Sequence, residues 1–160
     1  MDEFANYKNP DGSIDWGKYS MDKFQKEMEE RGKKNVVELE DLRVFKLADE
    51  LSDIVWEIVF RWDKFAKDTV GNQWVRSTDS VGANIAEGYG RYFFGENIVF
   101  LYYSRGSLKE SEYWMNKAHK RGLVGEDEYK RLKIVFENLP KELNATIKNI
   151  KIQQKKWPRR

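Results

Sequence analysis

The 160-residue sequence has no cysteine, one histidine and three prolines. Without cysteine there are no disulfides, no thiolate metal ligands and no Cys nucleophile. One histidine cannot supply the two Glu-x-x-His motifs of a di-metal carboxylate bundle. It also fails the Arg-x(4–6)-His pattern of small helical ribonucleases, because residues 112–114 upstream of His119 are Glu, Tyr and Trp. His119 reads instead as a helix C-terminal cap or a surface residue. Asn9, Asp11, Gly12, Ile14 and Asp15 match interior positions of a calcium loop, but its first and last ligand positions fall on Tyr7 and Lys18. A lysine where the bidentate glutamate belongs excludes that site. No phosphate-binding glycine loop or dinucleotide fingerprint is present. No metal, cofactor or catalytic residue is therefore expected, and the protein reads as a non-enzyme. Apolar runs such as Ile98 to Tyr103 are far shorter than the roughly 20 residues that cross a bilayer. The start, Met1-Asp2-Glu3, has neither a basic nor an apolar leader region, so the expected location is the cytoplasm, with no membrane partner.

What is present is apolar, aromatic and unevenly charged. A hydrophobic share of 40% and an aromatic share of 14% suffice for a packed core. The net charge is +2, but residues 117–160 hold 13 Lys/Arg against 5 Asp/Glu, a balance of +8, which leaves the first 116 residues at −6. Such a gradient offers one basic end to polyanions.

Residues 1–39 read as an N-terminal extension: an irregular start with a turn at Asn9-Pro10-Asp11-Gly12, then a short helix from Ser20 to about Arg31 with Met21, Phe24 and Met28 on one side. Residues 40–157 read as the main body and 158–160 as a basic tail. From Leu42, apolar residues recur at Phe45, Ala48, Leu51, Val55, Ile58, Trp62 and Phe65, steps of three and four that predict one long amphipathic helix closed by Gly71. A second helix is predicted over 72–87, ended by Gly88 and Gly90, and a third over 96–120, ended by Gly122. The fourth starts near Gly125 and carries Leu132, Phe136, Leu139, Leu143, Ile147 and Ile150, with Pro140 expected to kink it. Short connections make antiparallel neighbours, so the fold class is all-α: an antiparallel up-down-up-down four-helix bundle.

The second helix is rich in small residues between Arg76 and Gly90, and the third answers with Ser104, Gly106, Ser107 and Ser111. Small side chains imply closely spaced axes. Asn84, Glu87 and Arg105 read as a structural polar network in that seam, with Arg105 the natural partner for Glu87.

The run Ser80-Val81-Gly82-Ala83-Asn84-Ile85-Ala86-Glu87-Gly88-Tyr89-Gly90-Arg91, followed by Phe100-Leu101-Tyr102-Tyr103-Ser104-Arg105-Gly106-Ser107-Leu108, resembles the bacterial four-helix-bundle family of 23S ribosomal RNA intervening-sequence proteins. Asp41-Leu42-Arg43-Val44-Phe45-Lys46-Leu47-Ala48 is similar to that family's first-helix start. The resemblance covers roughly residues 40–150. It implies a homo-oligomeric ring, commonly a pentamer, with RNA or DNA as partner. Its superfamily includes the accessory variability determinant of diversity-generating retroelements, which binds a reverse transcriptase. Gly82 departs from a frequent proline, and Val75 stands where an arginine often pairs with Arg76.

Two readings of function follow. In the first, an oligomeric module binds structured RNA or DNA through Arg76, Arg91, Lys148, Lys151, Lys155, Lys156, Arg159 and Arg160; no acidic residue occurs from Ala145 onward, and Trp157 adds a stacking surface. The alternative for this tail is a solvated helix end favoured by the macrodipole. In the second, the protein is an adaptor that docks on a nucleic-acid enzyme such as a reverse transcriptase. Tyr92, Phe93 and Phe94 serve either reading, first as an oligomer or partner contact and alternatively as a platform for bases. A third reading is a purely structural ring.

Overall fold

The computed structural model describes residues 5–15, 18–19, 22 and 37–156. The chain divides into two compact units, Met1–Glu38 and Leu39–Arg160.

In the first unit, the turn at Asn9-Pro10-Asp11-Gly12 forms as its residues dictate. Gly12 takes φ +85°, a conformation that favours glycine, and an antiparallel bridge pairs Lys8 with Ile14. Asp11 accepts from the Ser13 backbone at 2.9 Å and from its hydroxyl at 2.6 Å. Those bonds hold the carboxyl below its ordinary range, so this turn loses support as pH falls through the lowered value. Nearly all of the short helix expected from Ser20 onward lies outside the described residues.

The second unit is built on four long helices: α1 (Arg43–Phe60), α2 (Asn72–Tyr89), α3 (Phe94–Lys120) and α4 (Glu126–Lys156). Cross-helix contacts fix their order and sense. Ser52 of α1 donates to Asp79 of α2, Ser104 of α3 donates to the Val81 carbonyl of α2 at 2.9 Å, and Tyr129 of α4 donates to Asn116 of α3 at 2.8 Å. Arg43 and Arg61, at opposite ends of α1, reach Glu142 and Glu128 of α4 at 3.2 and 2.5 Å. Each neighbour therefore runs antiparallel to the last, and α4 returns beside α1. This is the expected up-down-up-down bundle.

Its core comes from the predicted periodicity. Val44, Ala48, Leu51, Val55 and Ile58 of α1 are buried, as are Leu132, Phe136, Leu139, Leu143 and Ile147 of α4. On α3 the buried line reads Ile98, Leu101, Ser104, Leu108, Ser111, Met115 and Ala118, so hydroxyls occupy two inward positions. They meet the small face of α2, where Ser77, Thr78 and Gly88 are buried. Thr78 and Ser111 share a hydroxyl–hydroxyl bond at 2.6 Å, and Ser77 and Thr78 also return to the Trp74 carbonyl at 2.9 and 2.7 Å. Buried polar atoms are thereby satisfied inside the seam, and the cost of burying them is offset.

The turn between α1 and α2 corrects the sequence reading. α1 ends at Phe60, with Arg61 capping it, and the chain reverses at Trp62-Asp63. Asp63 caps a new helical turn by accepting from the Ala66 backbone at 2.9 Å. Lys64–Ala66 then passes through a π-helical turn, Lys67–Gly71, directly into α2. Gly71 therefore ends no helix. It is buried within one, where an added Cβ would meet Val59 Cγ1 at 2.7 Å. Trp62 closes the reversal by stacking on buried Trp74 at 5.8 Å between centroids. Phe65, expected in the core, is 78% exposed because the reversal takes it off the α1 face.

Pro140 sits within α4, which continues through it; the missing N–H removes one rung of the helix without ending it. At the α3–α4 turn Gly122 takes φ +73°. His119 fastens that turn: its ring stacks on Tyr129 at 4.0 Å, and its Nδ1 lies 3.1 Å from the Val124 carbonyl.

Two glycines of α2 separate packing from propensity. A Cβ at Gly88 would lie 2.9 Å from Phe100 Cβ and 3.1 Å from the Asn97 carbonyl, whereas one at Gly82 meets Ala48 Cβ at an ordinary 3.9 Å. Gly88→Ala is expected to destabilise by about 1–3 kcal/mol through overpacking. Gly82→Ala is expected to stabilise by about 0.5–1 kcal/mol through lost backbone freedom in the unfolded chain. Urea unfolding of both variants checks the contrast.

Candidate nucleic-acid interface

The helical repeat that turns Leu101, Ser104 and Leu108 inward leaves Tyr102 and Arg105 on the flank of α3 that faces α4. On α4, burial of Leu143 and Ile147 likewise leaves Asn144, Lys148, Lys151 and Lys155 beside them. Together they line a groove of about 480 Å³ with buried Ile147 and exposed Ile152.

Tyr102, 40% exposed, is the hub of this groove. Its hydroxyl receives a hydrogen bond from Lys151 Nζ at 3.1 Å. The guanidinium of Arg105 and the ammonium of Lys151 lie 5.3 and 5.7 Å from its ring centroid. Arg105 also donates to Asn144 at 3.4 Å. Lys148, Lys151 and Lys155 follow one another at steps of three and four, a line of roughly 10 Å at the helical rise. No carboxylate lines the groove among the described residues. Nor does any of its four cations pair with an acid among the described residues. Elsewhere on the bundle many cations are neutralised locally, as in Lys64–Asp68 at 2.6 Å and Lys109–Glu112 at 2.8 Å. The groove therefore combines uncompensated positive charge with an aromatic face.

The remaining predicted site residues do not all gather here. Lys156 is exposed on the last described turn, outside the groove lining, and Trp157, Arg159 and Arg160 lie outside the described residues. Arg91 pairs with Glu87 one turn earlier and lies over the Phe100 ring at 4.6 Å. Arg76 sits about four turns, roughly 22 Å, before Arg91 on α2 and lines a different groove, with Trp56 and Phe60 of α1. Tyr92 is 80% exposed and meets Phe93 edge-on at 5.1 Å. Phe93 stands at the N-cap of α3, and Phe94 opens that helix half-buried, so the three rings do not form one platform.

The expected polar network is corrected. Glu87 binds Arg91, four residues on and just past the end of α2, and Arg105 points instead to α4. Asn84 donates to the Ser80 carbonyl at 2.6 Å and to Ser107 at 3.5 Å. The buried polar contacts of the seam belong to Ser77, Thr78, Ser104 and Ser111. Tyr102 was not singled out from sequence; its signal is the Tyr102–Arg105 pair at i,i+3, flanking buried Ser104.

A family model described as 23S rRNA-intervening sequence protein matches residues 40–145. The chain belongs to this family. A crystal structure of a protein of unknown function from the S23 ribosomal protein family of Bacteroides thetaiotaomicron is 22% identical, with a TM-score of 0.58. The match covers 66% of this chain and 98% of that one, and it shows the shared helical fold. No curated protein matches the sequence. The 23S rRNA-intervening sequence family match ends before Lys148, so it takes in Tyr102, Arg105 and Asn144 but not the lysine line. Among the described residues no His, Cys, Asp or Glu cluster suits a metal, and no helix is long and apolar enough to cross a membrane.

Among the described residues the four groove cations form no ion pair, so their charge contributes little to folding. Replacing Arg105, Lys148, Lys151 and Lys155 by Gln is expected to leave the unfolding free energy within about 1 kcal/mol of the parent, since each such surface change is small. Thermal denaturation followed by circular dichroism measures this.

Proposed function

We propose that this protein is a non-enzymatic binding module that takes the backbone of structured RNA or DNA into the groove between α3 and α4. One observation carries the reading: Arg105, Lys148, Lys151 and Lys155 line one groove with Tyr102, with Arg105 and Lys151 against its ring, and no carboxylate is among the described lining residues. Backbone phosphates entering the groove release condensed counterions, the dominant sequence-independent source of affinity. Tyr102 offers an aromatic face on which an unpaired base stacks for about 1–3 kcal/mol. Lys151 moves from the phenol to a phosphate at little cost, because both contacts are exposed. Arg91 is the weaker contributor, since Glu87 already neutralises it.

The ring that family resemblance implies would repeat the groove around its axis. Several weak grooves on one assembly then bind a long strand far more tightly than one does. The adaptor reading draws instead on Tyr92, Phe93 and Phe94 and on the N-terminal extension, residues 1–39.

Four phosphate contacts predict a log–log dependence of affinity on salt with a slope of roughly −3.6 on duplex, slightly less on single strands. Fluorescence anisotropy with a labelled RNA hairpin measures it. Each Lys→Gln replacement at 148, 151 or 155 should bring the slope about one unit closer to zero, and Tyr102→Ala should weaken binding roughly 5- to 100-fold while Tyr102→Phe does not. A flat salt response in the parent protein would exclude the reading.

A further inference from the structure

A second groove, of about 420 Å³, lies between the C-terminal half of α1 and the start of α2. Trp56 and Phe60, one turn apart on α1, form one wall and are 59% and 66% exposed. Val59 and Gly71 form the floor, and Lys67, Asn72, Val75 and Arg76 form the opposite wall. Its shape follows from the π-helical turn Lys67–Gly71. The extra residue in that turn resets the phase of the helix, and the missing side chain of Gly71 lets Val59 press against its backbone. The backbone is pinned at the floor while the large rings above are left without cover. Single π-turns of this kind recur at functional positions. Adjacent exposed Trp and Phe side chains over a concave floor are also the arrangement of interaction hot spots.

The charges around the groove define what fits. On the α2 side, Lys67 lies 5.0 Å from the Phe60 ring centroid and Arg76 stands two turns further on; neither has a carboxylate partner among the described residues. The nearby acids are engaged: Asp68 binds Lys64 at 2.6 Å, and Asp79 accepts from Ser52. On the α1 side, exposed Asp53 and Glu57 flank Trp56. The groove is thus apolar along its length and cationic on its α2 lip, with neither Asp53 nor Glu57 among its described lining residues.

We infer that this groove is a docking site for an amphipathic helix of a partner protein, with apolar anchors on Trp56 and Phe60 and an acidic edge along Lys67 and Arg76. Two antiparallel helices present a trough that a third helix fills with residues at i, i+4 and i+7. An acidic edge supplies the countercharge that Lys67 and Arg76 lack, and the side of the helix that carries it fixes which way round the helix lies. The inference is independent of nucleic-acid binding, because none of its residues lines the α3–α4 groove.

The test uses the full chain and two fluorescein-labelled helical peptides with Leu at i, i+4 and i+7, one carrying Glu and the other Lys along one edge. The Glu peptide should bind at least ten-fold more tightly in an anisotropy titration. The double variant K67E/R76E should reverse that preference, and W56A should weaken binding at least ten-fold with the circular dichroism spectrum unchanged. The variant K148Q/K151Q/K155Q should leave peptide affinity unchanged, which separates this site from the basic groove. Equal binding of both peptides, no binding of either, or indifference to W56A would overturn the inference. So would a fall in native mass on W56A/F60A without peptide binding in the parent, which would assign the groove to a second copy of the chain.

Discussion

The α2–α3 seam sets the geometry on which the rest of this bundle depends. Thr78 and Ser111 are fully buried and bonded to each other at 2.6 Å. Gly88 allows Phe100 Cβ and the Asn97 carbonyl to close in at the other end of the contact. Small residues on facing helices let the axes approach, and every hydroxyl placed there has a partner. Once Ser104 and Ser111 are committed inward, the 3.6-residue period leaves Tyr102 and Arg105 outside on the α4 flank. The basic groove is therefore a by-product of how α3 is held.

A second constraint acts at the other end of the molecule. Gly71 admits Val59 into the helix that follows, and the π-turn takes up the extra residue. The stack of Trp62 on Trp74 closes this corner, although Trp74 Nε1 is buried without a hydrogen-bond partner among the described residues, a cost of about 1–3 kcal/mol that the surrounding apolar burial must exceed. The corner leaves Trp56 and Phe60 uncovered. Two grooves of different chemistry thus lie along different helix pairs, one basic and the other apolar with a cationic lip.

Most of the fold was legible in the sequence because α1, α3 and α4 carry uninterrupted inward lines. The α1–α2 reversal was not, and the reason is specific. Trp62 and Phe65 continue the apolar phase of α1 past its true end, so periodicity hides the break. Asp63, the N-cap that marks it, is one polar residue among them, and Gly71 looks like a stop when its role is close packing. The lysine line was readable from its spacing, because steps of three and four on one helix need no tertiary knowledge. Its partners were not. Arg105 seemed destined for Glu87, yet the local i,i+4 pair with Arg91 forms across the C-terminal end of α2 and leaves Arg105 for α4. Arg76 and Lys151 share a charge sign in the sequence but lie on different grooves in the fold.

The central claim, that nucleic acid enters the groove around Tyr102, is tested most directly by ultraviolet cross-linking of bound RNA followed by peptide mass spectrometry. The account predicts cross-links concentrated on the peptides that hold Tyr102 and Lys148 to Lys155, on adjacent flanks of α3 and α4. Cross-links confined to α1 and α2, around Trp56 and Arg76, would contradict it.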